Sequence, residues 1–133
     1  MKRLFFSLIL VGILSVFVSA QEAGGPRIAV DREIHEFGSM RPHEIPDGKL
    51  SFTVYNRGNE PLIVSNVRAC CGTRVDAFPQ APISPGDSAS VNVSWRIHNR
   101  PHRINRTVTI TSNATNRAIY VLRINGEVLP PED

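Results

Sequence analysis

The sequence predicts an all-β sandwich of the immunoglobulin type, and three observations carry that prediction. Ser88 to Ile97 alternates strictly, with Ala89, Val91, Val93, Trp95 and Ile97 on one face and Ser88, Ser90, Asn92, Ser94 and Arg96 on the other. Such a period-two strand has one core face and one wet face. About seven segments of this kind recur, separated by turn residues at the spacing of a sandwich. Beyond residues 1–20 no segment carries the 3.6-residue stripe of a helix.

Taken in order, Arg27 to Asp31 and Ile34 to Met40 read as short strands around a bend. Arg41 to Gly48 holds Pro42, Pro46 and Asp47-Gly48, which is turn chemistry. Lys49 to Asn56 alternates, with Leu50, Phe52 and Val54 facing inward. Asn56-Arg57-Gly58-Asn59-Glu60 reads as a hairpin-type connection, with Gly58 and the asparagines suited to positive φ. Leu62 to Val67 follows as a strand, then a weaker one at Thr73 to Ala77. Pro79, Pro82, Pro85 and Gly86 forbid regular structure and predict a rigid loop crossing between sheets. After Ser88 to Ile97, Ile104 to Ser112 alternates through Val108 and Ile110. Ala118 to Val128 is apolar at both parities, which predicts a central strand covered on both faces. A one-residue slip of Ser88 to Ile97 would put Trp95 in water, so register is well specified.

The chain has 133 residues. Met1-Lys2-Arg3, the apolar run Leu4 to Val18 and the small residues Val18-Ser19-Ala20 are the three parts of a secretory signal peptide, with cleavage expected at Ala20–Gln21. The run is shorter than the roughly 18–20 apolar residues that span a bilayer. The expected organisation is therefore a signal peptide (1–20), a flexible leader (21–26), one sandwich domain (27–129) and a C-terminal tail (130–133), with no membrane span in the mature chain. Removing Lys2 and Arg3 takes 15 Lys+Arg to 13 against 12 Asp+Glu, so the net charge falls from +3 to +1. That is weak support for a nucleic-acid partner, and none is expected.

Cys70 and Cys71 are the only cysteines, and they are adjacent. Export to an oxidising compartment would favour their oxidation. Neighbouring Cα atoms lie about 3.8 Å apart, below the roughly 4.4–6.8 Å usual for a disulfide, so a bond between them is strained. The pair is read as a redox handle or contact surface, or else as a plain loop with the thiols free, partly buried or joined. Arg96, Arg100, Arg103 and Arg106, with His98 and His102 among them, form the second candidate: an anion-binding patch for an acidic glycan or phosphate. The alternative is a solvated hairpin. No Cys-x-x-Cys, Gly-x-Ser-x-Gly, His-Glu-x-x-His or phosphate-binding Gly-Lys-Ser/Thr motif occurs. No metal, cofactor or catalytic role is expected.

Phe37-Gly38, Asn56-Arg57-Gly58-Asn59-Glu60-Pro61-Leu62, Cys70-Cys71-Gly72-Thr73, Pro82-Ile83-Ser84-Pro85-Gly86, Ser112-Asn113 and Gly126-Glu127-Val128 occur in this order. By these motifs the chain resembles the domain-of-unknown-function 1573 family of secreted and periplasmic bacterial proteins. That family usually carries Cys-Gly-Cys-Thr where this chain has Cys-Cys-Gly-Thr. It is similar to the immunoglobulin-like domains of cilium- and centrosome-associated proteins and of major sperm protein. The resemblance implies a sandwich, and a binding or scaffolding role in the cell envelope with an unidentified protein or glycan partner. A thiol-redox or soft-metal-responsive protein using Cys70 and Cys71 is the second expectation. A strand-pairing chaperone of the pilus type is the third.

Overall fold

The structure, a computed structural model, describes residues 24–45 and 48–132. The expected signal peptide, residues 21–23 of the leader, Pro46-Asp47 of the first turn and Asp133 lie outside the described residues. Eight strands form two four-stranded sheets. The first sheet holds β1 (Ile28–Val30), β3 (Lys49–Asn56), β6 (Ser88–Trp95) and β5 (Thr73–Ala77), in the spatial order β1-β3-β6-β5. The second holds β2 (Ile34–Met40), β8 (Ile119–Val128), β7 (His102–Ser112) and β4 (Val64–Ala69), in the order β2-β8-β7-β4. The immunoglobulin-type sandwich predicted above is the architecture found, with one strand more than the seven expected.

Alternation builds the core. On β3 and β6 the inward residues pair as Phe52↔Val91 and Leu50↔Val93. On β7 and β8 they pair as Val108↔Leu122 and Ile110↔Tyr120. These two inner faces bury each other, and Phe52, Val54, Val91, Val108, Ile110, Leu122 and Ile124 are sealed from solvent. Trp95 is buried at the end of β6, with the Phe37 ring 5.3 Å away.

Four details depart from the sequence reading. The segment expected as a strand covered on both faces is β8, a central strand, but only one of its faces is covered: Ile119 and Val121 stay exposed while Tyr120, Leu122 and Ile124 are buried. High apolar content on the second face had masked an ordinary alternation. The Pro79–Gly86 loop joins β5 and β6, neighbours in one sheet, and does not cross between sheets. Asn56–Glu60, expected as a hairpin-type connection, instead runs from β3 to the opposite sheet. Gly58 there has no positive φ. It is glycine because a Cβ would lie 2.1 Å from the Gly25 carbonyl oxygen. That contact also bears on the segment expected to be mobile: its described residues are tied down. Gly25 N–H donates to Asn59 Oδ1 at 2.7 Å, and Pro26 O accepts from Thr115 N–H at 2.8 Å.

The start of β2 is fixed by a polar cluster. Tyr120 donates its hydroxyl to the Glu33 carboxylate, and Arg117 Nη1 lies 3.2 Å from the same carboxylate. The Tyr120 hydrogen bond, reinforced by Arg117, holds the Glu33 carboxyl below its ordinary 4.5. On β5, hydrogen bonds from Ser94 and then Arg74 hold Asp76 below its ordinary 3.8. A depressed carboxyl contributes stability that is complete above the unfolded value and is lost as pH falls through the folded value. The denaturant midpoint should therefore begin to fall near pH 4.5 and continue below 3.8. The double variant Glu33→Gln, Asp76→Asn should show a shallower acid slope in the same titration. An unchanged slope would mean that neither carboxyl is coupled to folding.

Candidate functional site

The site is built where β4 hands the chain to the opposite sheet. Cys70 O accepts from Thr73 N–H at 3.1 Å, closing a four-residue turn. Its two central residues, Cys71 and Gly72, have φ of 63° and 79°. Positive φ at both central positions reverses the chain tightly, and glycine is the residue that takes it without steric cost. Cys71 is the only non-glycine residue with positive φ among the described residues. Leaving the extended conformation lets two neighbouring side chains meet, and Cys70 and Cys71 are joined as a disulfide. Cys71 is exposed and Cys70 half-buried. Cys70 is pinned from below: its N–H donates to Thr107 O at 3.1 Å, and its Sγ accepts from Thr107 N–H at 3.4 Å.

The second candidate group lies against this turn. An open cleft of about 540 Å³ has Cys71 and Gly72 on one wall. Arg96 and His98, from the connection after β6, line the cleft too, as do His102, Arg103 and Arg106 of β7. The two sequence candidates are thus parts of one concave surface. Arg100 lies on the exposed connection outside the lining. None of the four arginines makes an ion pair among the described residues.

Arg106 differs from the other three. It is 7% exposed, because it shares the inward parity of Ile104, Val108 and Ile110 on β7. Its Nη2 donates to Arg96 O at 2.7 Å and its Nη1 to Thr73 Oγ1 at 3.4 Å. Burial lowers its pKa, yet an arginine remains charged. The sequence groups Arg106 with Arg96, Arg100 and Arg103 as a candidate anion-binding patch; in the structure its side chain is buried and ties the disulfide turn to the β6–β7 connection. Alternation along β7 was the signal for this. Among the described residues no three of His, Cys, Asp and Glu are placed to hold a metal ion, and no helix is long and apolar enough to cross a membrane.

The disulfide is not expected to hold the fold together. A bridge between neighbours closes almost no chain, so it removes little unfolded-state entropy. Replacing both cysteines with serine should change stability by about 1 kcal/mol. Denaturant unfolding with and without reductant checks this. A loss of several kcal/mol on reduction would make the pair a structural staple.

A family described as "Protein of unknown function (DUF1573)" matches residues 28–128. No curated protein matches the chain. Among solved structures, the chain is similar to the secreted serine protease VesC from Vibrio cholerae, at 16% identity and TM-score 0.63 over 77% of this chain and 23% of that one. It is similar to a protein of unknown function from Porphyromonas gingivalis W83, at 14% identity and TM-score 0.62 over 85% of this chain and 51% of that one. It is also similar to PapD-like domain 7 of human CEP192, at 11% identity and TM-score 0.46 over 80% of this chain and 87% of that one. The chain spans 23% and 51% of the first two proteins, and at these identities the likeness is one of fold.

Proposed function

The chain belongs to the DUF1573 family of proteins of unknown function, and on that premise we propose that it is an exported, non-enzymatic immunoglobulin-like module that binds an acidic glycan of the bacterial cell envelope. The observation that carries this reading is the basic cleft at the Cys70–Cys71 end of the sandwich, whose arginines have no carboxylate partner among the described residues. Arginine offers a planar fork of donors to carboxylate, sulfate or phosphate. Arg96, His98, His102, Arg103 and Arg106 dominate the lining, with Ile104 the one large aliphatic side chain in it. Protein-binding hot spots are enriched in tryptophan, tyrosine and arginine seated in desolvated pockets. An open cleft lined by basic side chains, with no tryptophan or tyrosine in it, suits an acidic sugar chain better.

Export is supported by the sequence of residues 1–20, with its basic start, apolar run and small-residue exit. A disulfide accords with an oxidising compartment.

The test is made on protein processed by its own cells. The envelope fraction should yield a chain that begins at Gln21. Passed over an immobilised uronic-acid polysaccharide at low salt, that protein should be retained, and Arg96→Ala together with Arg103→Ala should release it without altering its unfolding midpoint. Retention of an acidic protein but no polysaccharide, or a chain found in the cytosol with residues 1–20 intact, would defeat the reading.

A further inference from the structure

A buried positive charge normally has a partner, because a charge taken out of water is costly unless paired and hydrogen-bonded. Arg106 lacks one. It is 7% exposed, and no carboxylate lies within ion-pair distance among the described residues. A guanidinium carries five N–H donors. Arg106 uses two of them, toward Arg96 O and Thr73 Oγ1, which leaves 5 − 2 = 3. Both acceptors in use are neutral. Arg106 is also one of the residues that line the cleft.

The surroundings keep that cleft open. A Cβ added at Gly72 would touch Arg106 Nη1 at 3.9 Å, so glycine at this position leaves the space between the turn and the guanidinium unfilled. Arg96 is exposed and lines the same cleft, with its own carbonyl held by Arg106. The closest acidic group in register is Glu127, opposite Arg103 on β8. It forms no ion pair with Arg103 or Arg106.

We propose that Arg106, with Arg96 at the rim, forms a subsite for a single oxyanion group (carboxylate, sulfate or phosphate) beneath the Cys70–Gly72 turn. The oxyanion accepts from the free donors of Arg106 and supplies the missing counter-charge. The subsite deepens the glycan-binding reading and rests on the same cleft, but it does not depend on export. Its ligand is the acidic group of a sugar chain or a free anion of the same chemistry.

The experiment is a titration of the purified, processed protein with sodium sulfate, inorganic phosphate and a uronic-acid oligosaccharide in turn, against sodium chloride at matched ionic strength. Proton–nitrogen NMR follows the Arg106 Nε–H and the amides of Gly72 and Arg96. The expected result is a saturable shift of all three signals with at least one probe, and the probe with the strongest response identifies the source. Arg106→Gln should abolish the saturable response. Should that variant fail to fold, Arg96→Ala carries the test with an expected weakening of about tenfold, the scale of one charge-assisted hydrogen bond. Shifts that grow linearly, or that spread over exposed arginines such as Arg100 and Arg117 while Arg106 stays still, would overturn the subsite. Anion binding at Arg106 without polysaccharide retention would sink the glycan reading alone. Polysaccharide retention with an unmoved Arg106 would sink the subsite alone.

Discussion

Trp95→Ala should cost about 3–5 kcal/mol of unfolding free energy, the range for removing a large aromatic side chain from a core. Trp95 is 7% exposed and closes one end of the sandwich, against Phe37 of the opposite sheet. Its position is set by period two along β6, which points Val91, Val93 and Trp95 inward together. The indole N–H has no hydrogen-bond partner among the described residues. Deleting it removes no bond, so the loss comes from packing. Trp95→Phe, which keeps a ring in the site, should therefore recover most of the difference. Urea unfolding of the three proteins checks both statements. A cost under about 1 kcal/mol for the alanine variant would place Trp95 at the surface.

Asn56→Ala should be the second severe substitution, at about 2–4 kcal/mol, because it strips hydrogen bonds from buried backbone groups. Asn56 is fully buried. Its Nδ2 donates to Glu60 O at 2.7 Å and to Ile83 O at 2.8 Å, and its Oδ1 accepts from Gly58 N–H at 3.0 Å. Its backbone adds two more links: Asn56 N–H donates to Asp87 O, and Gly86 N–H donates to Asn56 O. A single side chain thus fixes the β3–β4 crossing and docks the proline-rich loop against it. Leu62 and Ile83 complete the junction with a two-way backbone bridge. Asn56→Asp tests the mechanism separately. It preserves the acceptor but loses the Nδ2 donor, so it should also destabilise. A variant as stable as wild type would show that the junction is held by the loop alone.

These residues show what a one-dimensional reading captures. The alternation of β3, β6 and β7 is local, and it located the inward faces, Trp95 included. The same alternation puts Arg106 on the inward face, although its charge groups it with the exposed Arg96, Arg100 and Arg103. On β8 the reverse occurred, since Ile119 and Val121 looked like core yet lie exposed. Which sheet each connection reaches was not legible. Asn56–Glu60 carries hairpin residues, but its path is decided by partners far along the chain, at Gly25, Arg27 and Ile83. For the site, adjacency made the cysteine pair conspicuous, and the arginine cluster stood out by composition. Their union in one cleft was hidden, because it depends on β4 and β7 pairing with Ala69 opposite Val108.

Most direct for the central claim, that the basic cleft beside the Cys70–Cys71 turn is the binding surface, is a backbone hydrogen-exchange map of the processed protein with and without a saturating uronic-acid oligosaccharide. Binding at the cleft predicts slowed exchange at Gly72, at Arg96 and across His98 to Arg106, with the rest of the molecule unchanged. Protection centred instead on the exposed apolar residues Ile34, Ile119 and Val121 of the second sheet would contradict it and move the binding surface to that outer face.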